Sequence, residues 1–319
     1  MLPNRAEAAG YTPPELTDLE KIQPMQDPVG SRGVQCGFFA GASRPIYPMT
    51  DRYAVIGNPI EHSRSPQIHT AFARQTGEDI AYGRILGSLD AFEAEVRAFF
   101  AAGGRGLNVT VPFKERAFGL ADALSERASS AGAVNTLIAD AGGIRGDNTD
   151  GVGLVRDLGC NHLFGFADAR ILLLGAGGAA RGVLRPLLDE RPASLLIANR
   201  TASKAIALAD AAAGLGAVAG CGLAELAGLK FDLIINATAA GLEAKVPDIP
   251  DDCLAEGGWT YDMMYSKVPT AFVDWGRTHD AARALDGLGM LVEQAAESFR
   301  LWRGVQPDTG PVIDSLRAT

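Results

Sequence analysis

The sequence contains little cysteine or histidine, and neither residue type shows a pairing pattern. Cysteine and histidine each occur four times in 319 residues, without a CxxC pair and without HxxxH spacing. The motifs typical of zinc sites are therefore missing, and we expect no metal. Widely spaced cysteines of this kind are typical of reduced thiols in a cytoplasmic protein.

Long apolar runs and an excess of basic residues are missing too. No charge-free apolar run approaches the length of about 18 residues that a membrane helix needs, and the N-terminus lacks the basic-then-apolar order of a secretory signal. Lysine and arginine total 29 against 38 aspartate and glutamate, which gives a formal net charge of −9. We therefore expect neither nucleic-acid nor membrane partners, and any anionic ligand must be held by local groups.

Glycine, by contrast, is abundant. It accounts for 38 of the 319 residues, about 12% of the chain against a usual share of about 7%. This enrichment means either low complexity or particular backbone roles.

The length of the chain fits two domains. Residues 1–50 are rich in proline, glycine and polar residues and show no clear period, so we predict a poorly ordered extension there.

The next hundred residues alternate predicted strands with predicted helices. Strands are predicted at 53–56, 107–111 and 133–138, and helices at 65–77, 89–100 and from 113 onward. Ser65 has the side chain of a helix N-cap, Pro66 suits the first helical position, and Gly77 is typical of a helix end. The alternation indicates an α/β fold with a mostly parallel sheet covered by helices.

A second α/β unit begins near residue 152 and contains a glycine-rich loop. Gly175-x-Gly177-x-x-Ala180 follows the apolar strand 170–174 and opens a helix, which is the context of a dinucleotide-binding fingerprint. The glycines allow a tight turn and the close approach of a pyrophosphate to the helix N-terminus. We therefore predict a Rossmann-type doubly wound domain. Its predicted cofactor loop consists of Gly175, Ala176, Gly177, Gly178 and Ala179.

The end of the second strand of this unit selects the cofactor. An NAD site would carry an aspartate or glutamate there to bind the ribose 2′-hydroxyl. This chain instead has Asn199-Arg200-Thr201, with Lys204 one turn later. Because a guanidinium binds a phosphate group well and a carboxylate would repel it, we predict NADP. The alternative is that Arg200 is merely solvated.

Polar side chains also cluster at predicted strand ends of the first unit, where open α/β sheets bind ligands. They lie in the segments 63–65, 108–114, 135–136 and 148–150. Taken singly, each has an ordinary explanation: Ser65 caps a helix, Lys114 is a surface lysine, and Asp150 begins a turn. Together, their hydroxyls, amides and one lysine–aspartate pair suit a polyhydroxylated carboxylate.

In combination, these motifs resemble those of the shikimate dehydrogenase family. The order and spacing agree from about residue 53 to the C-terminus. The matching segments are Ser63-x-Ser65-Pro66, Asn108-Val-Thr-Val-Pro-Phe-Lys114, Gly132-Ala-Val-Asn135-Thr136, Asn148-Thr-Asp150-Gly151, Gly175-Ala-Gly-Gly-Ala, Asn199-Arg-Thr201, Asn236-Ala-Thr238, Tyr261-Asp-Met-Met-Tyr265 and Gly287-Leu-Gly-Met-Leu-Val-x-Gln294. The resemblance implies reversible, NADPH-dependent reduction of 3-dehydroshikimate to shikimate in aromatic amino-acid biosynthesis.

The resemblance also implies a role for each matching position. Lys114 and Asp150 would form the catalytic pair, and the two serines would hold the substrate carboxylate. The implied substrate contacts are Ser63, Ser65, Thr110, Asn135, Tyr265 and Gln294. Beyond the glycine loop and the Arg200 segment, the implied cofactor contacts are Thr238, Met263 and Gly287.

The same resemblance implies a domain division and leaves alternatives open. The substrate domain would comprise 51–151 with 288–319, and the NADP-binding domain 152–287, in a monomer or homodimer. The alternatives are a quinate/shikimate dehydrogenase of broader specificity, a folate-linked dehydrogenase of similar build, and a non-catalytic sensor of shikimate or nucleotide. Ser63 and Arg200 favour shikimate and NADP, and the intact Lys114 and Asp150 favour an enzyme.

Overall fold

The computed structural model describes residues 50–238 and 245–318, so the predicted extension at 1–50 lies outside the described residues except for Thr50. A first sheet consists of β1 (Asp51–Gly57), β2 (Ile80–Leu86), β3 (Gly104–Val109), β4 (Ala123–Leu124), β5 (Thr136–Asp140) and β6 (Gly143–Asp147). The helices of this part are α1 (Ser65–Thr76), α2 (Phe92–Ala101), α3 (Lys114–Leu120) and α4 (Glu126–Ala131). Among the described residues, the strand order is β2-β1-β3-β5-β6-β4.

This first sheet is mixed, with parallel pairs around β1 and antiparallel pairs around β5. β1 runs parallel to β2 and β3, whereas β5 runs antiparallel to both β3 and β6. For β5 and β6 the antiparallel pairing follows from the short connection at residues 141–142, since a parallel pair needs a long crossover. β2 was not predicted, because most of its residues are exposed at the sheet edge and show no regular burial pattern.

The start of α1 differs from its prediction in one functional detail. The helix begins at Ser65 itself, its cap position is Arg64, and no side chain caps it. The prediction that Ser65 is the N-cap is therefore wrong. The hydroxyl of Ser65 instead accepts a hydrogen bond from that of Ser63, at 3.2 Å, which leaves it on the side of the helix N-terminus where a ligand can reach it. The helix ends at Gly77 in a left-handed conformation, as predicted.

The second sheet is parallel throughout and doubly wound. Its strands are β7 (Arg170–Leu174), β8 (Ser194–Asn199), β9 (Val218–Gly222), β10 (Phe231–Asn236), β11 (Leu254–Asp262) and β12 (Arg283–Asp286), in the order β12-β11-β10-β7-β8-β9 for the described residues. Its helices are α6 (Gly178–Asp189), α7 (Ala202–Ala211) and α8 (Ala271–Thr278). The winding direction reverses between β7 and β10, and a crevice for a ligand forms at such a switch point.

Helix α5 (Asp150–Arg156) leads from the first sheet to the second, and α9 (Leu288–Arg303) and α10 (Gly310–Arg317) follow the second sheet in sequence. The C-terminal helices return to cover α1. Ile68 and Phe72 of α1 are buried against Val292 and Phe299 of α9 and Leu316 of α10. Helix α9 also packs against α5. Among residues 50–238 and 245–318, every helix is too short or too polar to cross a lipid bilayer.

A buried carboxylate ties α9 to its neighbours. Glu297, on α9, is 1% exposed and lies 2.9 Å from Arg127, 3.1 Å from Arg156 and 2.7 Å from Arg300. Burial alone would raise the pKa of Glu297, but the hydrogen bonds from Arg300 and Arg127 and the charge of Arg156 outweigh it and lower the pKa to about 2. Arg127 also binds Asp147 at the end of β6, so this cluster joins α9 to the first sheet.

We predict that Glu297 stabilises the fold at neutral pH and ceases to do so in acid. Because its pKa falls from an ordinary 4.5 to about 2 in the folded state, the stabilisation is complete above about pH 4.5 and is lost as the pH falls toward 2. Glu297→Gln removes the buried charge that three partly exposed arginines share and should lower the free energy of unfolding at pH 7 by about 3 kcal/mol, at about 1.4 kcal/mol for each pKa unit. Urea titrations at pH 7 and pH 3 measure both effects.

The matched control for this prediction is Asp189→Asn. Asp189 forms an exposed ion pair with Arg185 on α6, and exposed pairs contribute less than about 1 kcal/mol. A Glu297→Gln variant as stable at pH 7 as this control would contradict the prediction.

Candidate active site

A cavity of about 420 Å³ lies where the first sheet, α5 and α9 meet the second sheet. It brings together all the residues that the sequence assigned to substrate binding and catalysis. They are Ser63, Ser65, Thr110, Lys114, Asn135, Asp150, Tyr265 and Gln294. Segments more than 200 residues apart in sequence therefore line one small space of mixed polarity.

Lys114 and Asp150 form a salt bridge in this cavity. Lys114 is the first residue of α3, which follows the turn after β3, and Asp150 is the first residue of α5. The ammonium Nζ of Lys114 donates to Oδ2 of Asp150 at 2.6 Å, with side chains 31% and 11% exposed. Each side chain thus keeps one face toward the cavity while the other is held.

An amide network fixes the carboxylate of Asp150. Nδ2 of Asn135 donates to Oδ1 of Asp150 at 2.8 Å and lies 3.2 Å from Oε1 of Gln294. Oδ1 of Asn135 accepts the backbone N–H of Thr149 at 3.0 Å. One carboxylate oxygen therefore faces Asn135 and the other faces Lys114, which fixes the plane of the carboxylate.

Residues of the loop before α1 form a second polar group in the cavity. Ser63 donates from its hydroxyl to that of Ser65 at 3.2 Å, and the backbone N–H of Ser65 lies 3.3 Å from Oγ of Ser63. Two hydroxyls and a helix N-terminus are a suitable environment for a carboxylate, because N–H and O–H donors converge there.

A polar cluster at the wall of the cavity was missed as part of the site; it consists of His69, Tyr82, Asn108 and Ser298, of which Asn108 lines the cavity itself. Oδ1 of Asn108 accepts from the hydroxyl of Tyr82 at 2.6 Å and from Nε2 of His69 at 3.1 Å, and its Nδ2 lies 3.1 Å from the hydroxyl of Ser298. Burial lowers the pKa of His69 to about 3, so the ring is neutral and donates through Nε2. Asn108 stands in the quoted motif and could have been assigned, whereas Tyr82 has no sequence signal.

A groove of about 820 Å³ runs along the carboxyl ends of β7, β8 and β10. The predicted cofactor residues that line it are Gly175, Ala176, Gly177, Asn199, Arg200, Thr201, Lys204 and Thr238. Lys245, which the sequence reasoning missed, lines it as well. Gly178 is the first residue of α6 and lines neither the groove nor the cavity.

The glycine loop fits a dinucleotide in two respects. Gly175 has a φ of +107° and a Cβ there would lie 3.1 Å from the carbonyl oxygen of Ala237, so the tight turn requires glycine. A Cβ at Gly177 would meet no atom within 4 Å, so the space above the N-terminus of α6 is open to a pyrophosphate. The exposed Arg200 and Lys204 stand at the far end of the same groove, beyond β8.

The groove and the cavity adjoin each other. Thr238 lines both, and the predicted cofactor residues Ala179, Met263 and Gly287 line the cavity. A Cβ at Gly287 would lie 2.4 Å from the carbonyl oxygen of Met263, so this close approach also requires glycine. A ligand that extends from Arg200 past the glycine loop therefore ends beside Lys114 and Asp150.

Family models match three parts of the sequence. The model described as the shikimate dehydrogenase substrate binding domain matches residues 55–137. The model described as shikimate / quinate 5-dehydrogenase matches residues 159–244, and that of the shikimate 5'-dehydrogenase C-terminal domain matches residues 287–317.

Individual proteins and solved structures of this family are also similar to the chain. Proteins of Alkalilimnicola ehrlichii and Methylococcus capsulatus, both named shikimate dehydrogenase (NADP(+)), are each 58% identical to this chain over 269 residues, covering 84% of this chain and 99% and 96% of their own lengths. The crystal structure of an enzyme named Ael1 from Pseudomonas putida superposes with a TM-score of 0.78 at 47% identity, over 83% of this chain and 98% of the other. Shikimate 5-dehydrogenase from Thermus thermophilus, solved with NADP(H) and shikimate, gives 0.74 at 32% identity over 84% and 99%. The chain belongs to the shikimate dehydrogenase family.

Proposed function

We propose that this protein interconverts 3-dehydroshikimate and shikimate with NADP(H), as a step of chorismate and aromatic amino-acid biosynthesis. The observation that carries the proposal is that Lys114, Asp150 and the serine pair share one cavity that adjoins a dinucleotide groove. The names of relatives at 58% identity support it. The proposed division is a substrate domain at 51–151 with 288–319 and an NADP domain at 152–287.

In this proposal, the cavity binds a ring that carries one carboxylate and several hydroxyls. Ser63 and Ser65 hold the carboxylate, and Thr110, Asn135 and Gln294 bind ring hydroxyls. Tyr265 covers the ring. Since a site built to hydrogen-bond hydroxyls leaves buried polar groups unpaired when a hydroxyl is missing, it discriminates strongly against deoxy analogues.

Lys114 supplies the proton and the local positive charge that ketone reduction requires. NADPH supplies the hydride when bound. As the carbonyl oxygen of the substrate gains negative charge, an ammonium within hydrogen-bonding distance stabilises it and donates a proton. Asp150 orients that ammonium through the 2.6 Å salt bridge and, through its other oxygen, stays fixed by Asn135. In the reverse direction, the same amino group accepts the proton of the hydroxyl as the hydride leaves.

The proposed cofactor preference rests on charge. Arg200, Lys204 and Lys245 line one end of the groove, and the end of β8 carries no carboxylate among residues 198–204. The 2′-phosphate of NADP would therefore meet cations where an NAD site carries an acidic residue. A cytoplasmic location and a monomeric or dimeric state stay predictions of the sequence.

A steady-state assay of the purified protein tests the proposed function. Shikimate and quinate are each offered with NADP and with NAD, and reduction of the nucleotide is followed by absorbance. We expect kcat/KM to be highest for shikimate with NADP. A preference for quinate would favour the broader relative, and no turnover with any pair would favour a sensor.

We predict that Lys114→Ala lowers kcat far more than it weakens substrate binding. General acid–base catalysis contributes about 10²- to 10⁴-fold, so kcat should fall by that factor while the Kd of shikimate changes less than about tenfold. Kinetics and calorimetry measure the two effects. Lys230→Ala, which removes an exposed lysine paired with Asp252, is the control, and turnover of Lys114→Ala near that of this control would refute the catalytic role.

We also predict that Arg200→Ala selectively weakens NADP binding. A charge-assisted hydrogen bond contributes about 1.5–3 kcal/mol, so the KM of NADP should rise roughly 10- to 100-fold while that of NAD changes little. Arg185→Ala, which removes a partly exposed arginine of α6 that lines neither the groove nor the cavity, should leave both unchanged. An equal loss for NADP and NAD would show that Arg200 does not contact the 2′-phosphate.

A further inference from the structure

The proposed carboxylate site consists of neutral groups in an acidic protein. Ser63 and Ser65 offer hydroxyls, and the chain has a formal net charge of −9. Two cations near the cavity have other partners: Lys114 is paired with Asp150, and Arg64 donates to the carbonyl oxygen of Leu316 at 3.0 Å. A third cation, by contrast, contacts the serine pair itself.

Arg84 lies directly behind the serine pair. It belongs to β2, the edge strand of the first sheet, opposite Val55 of β1. Its Nε and Nη2 both donate to the carbonyl oxygen of Ser63, at 3.1 and 2.5 Å. Among the described residues, no carboxylate forms a salt bridge with Arg84, so its charge is not neutralised by a neighbour.

The contact fixes one side of Ser63 and leaves the other for a ligand. With its carbonyl oxygen held by the planar guanidinium, the peptide of Ser63 cannot rotate freely, and its Oγ remains directed toward the N–H and hydroxyl of Ser65. Two guanidinium donors that converge on one acceptor restrict geometry more than a single ammonium can. The guanidinium thus contacts the backbone of Ser63, whose hydroxyl would meet the carboxylate.

We propose that Arg84 is a positioning residue for the substrate carboxylate. It holds the Ser63–Ser65 pair in its binding geometry and supplies a positive potential to a carboxylate that the serines bind directly. Its role is in substrate affinity and not in the chemical step, since Lys114 and Asp150 do not contact it. This inference rests on the proposed function.

The test compares Arg84→Met, Arg84→Lys and the control Arg52→Met. Arg52, on the neighbouring strand β1, is exposed and also donates to a backbone carbonyl, that of Ala102 at 3.3 Å, but it stands at the opposite end of the strand from the cavity. For Arg84→Met we expect the KM of shikimate to rise about 5- to 20-fold, less than for loss of a direct charge-assisted hydrogen bond, because Arg84 acts through Ser63. The kcat should change less than about twofold, and the KM of NADP should not change. Arg84→Lys should recover part of the loss.

Ionic strength provides a readout that a purely structural role would not affect. Salt screens an exposed cation, so the KM of shikimate for the wild-type protein should rise between 20 mM and 500 mM potassium chloride, on the order of several-fold, and should rise less in Arg84→Met. The Arg52→Met variant should behave as the wild type does.

The outcomes separate the two proposals. If the wild-type protein does not turn over shikimate, the proposed function fails. If it does, an Arg84→Met KM within twofold of the wild type overturns the role of Arg84, as does a fall in kcat as large as the rise in KM. Circular dichroism checks folding. If Arg84→Met does not fold, two other results together overturn the inference. The first is that the KM of the wild type does not depend on salt, and the second is that Arg84→Lys has the KM of the wild type.

Discussion

The salt bridge between Lys114 and Asp150 is the interaction on which the rest of the site depends. A lysine and an aspartate that are mostly withdrawn from water are costly to bring together unless their remaining hydrogen bonds are satisfied. The fold meets this requirement by starting two helices, α3 and α5, at the pair and by fixing Asp150 from behind through Asn135. Helix α9 completes the arrangement, because it carries Gln294 into the cavity and is itself held by the buried Glu297.

Both proposed ligands are anions, and the protein binds them without a basic surface. The cations that we propose to meet these ligands stand at a few positions, beyond β8 for the nucleotide and on β2 for the carboxylate. Since screening weakens long-range attraction within about a nanometre at physiological salt, recognition in such a protein relies on contacts inside the cavity and groove, with little contribution from the overall field.

Much of the fold and of the candidate site could be predicted from the sequence, and the predictions that were wrong or missing have physical causes. The glycine loop and the Arg200 segment were found because a strand, a turn and a helix N-terminus leave strong local patterns. The lining of the cavity was assigned from motifs, although the roles of those residues still await experiment. Ser65 was taken for an N-cap because residue type alone does not reveal where the first helical turn begins. Tyr82 and Arg84 lie on an edge strand without a burial pattern, and only the tertiary fold shows that Tyr82 reaches Asn108 and that Arg84 reaches the loop before α1.

The path of the chain has a consequence for how the protein is made. The helices that cover α1 follow the whole of the second sheet in sequence. A ribosome therefore releases all the strands of the second sheet before it has produced the residues that bury Ile68 and Phe72. During synthesis, the part that contains the first sheet presents an apolar face to water while the second sheet can already fold. This interval is when a chaperone would have most to bind, and when the nascent chain is most exposed to aggregation.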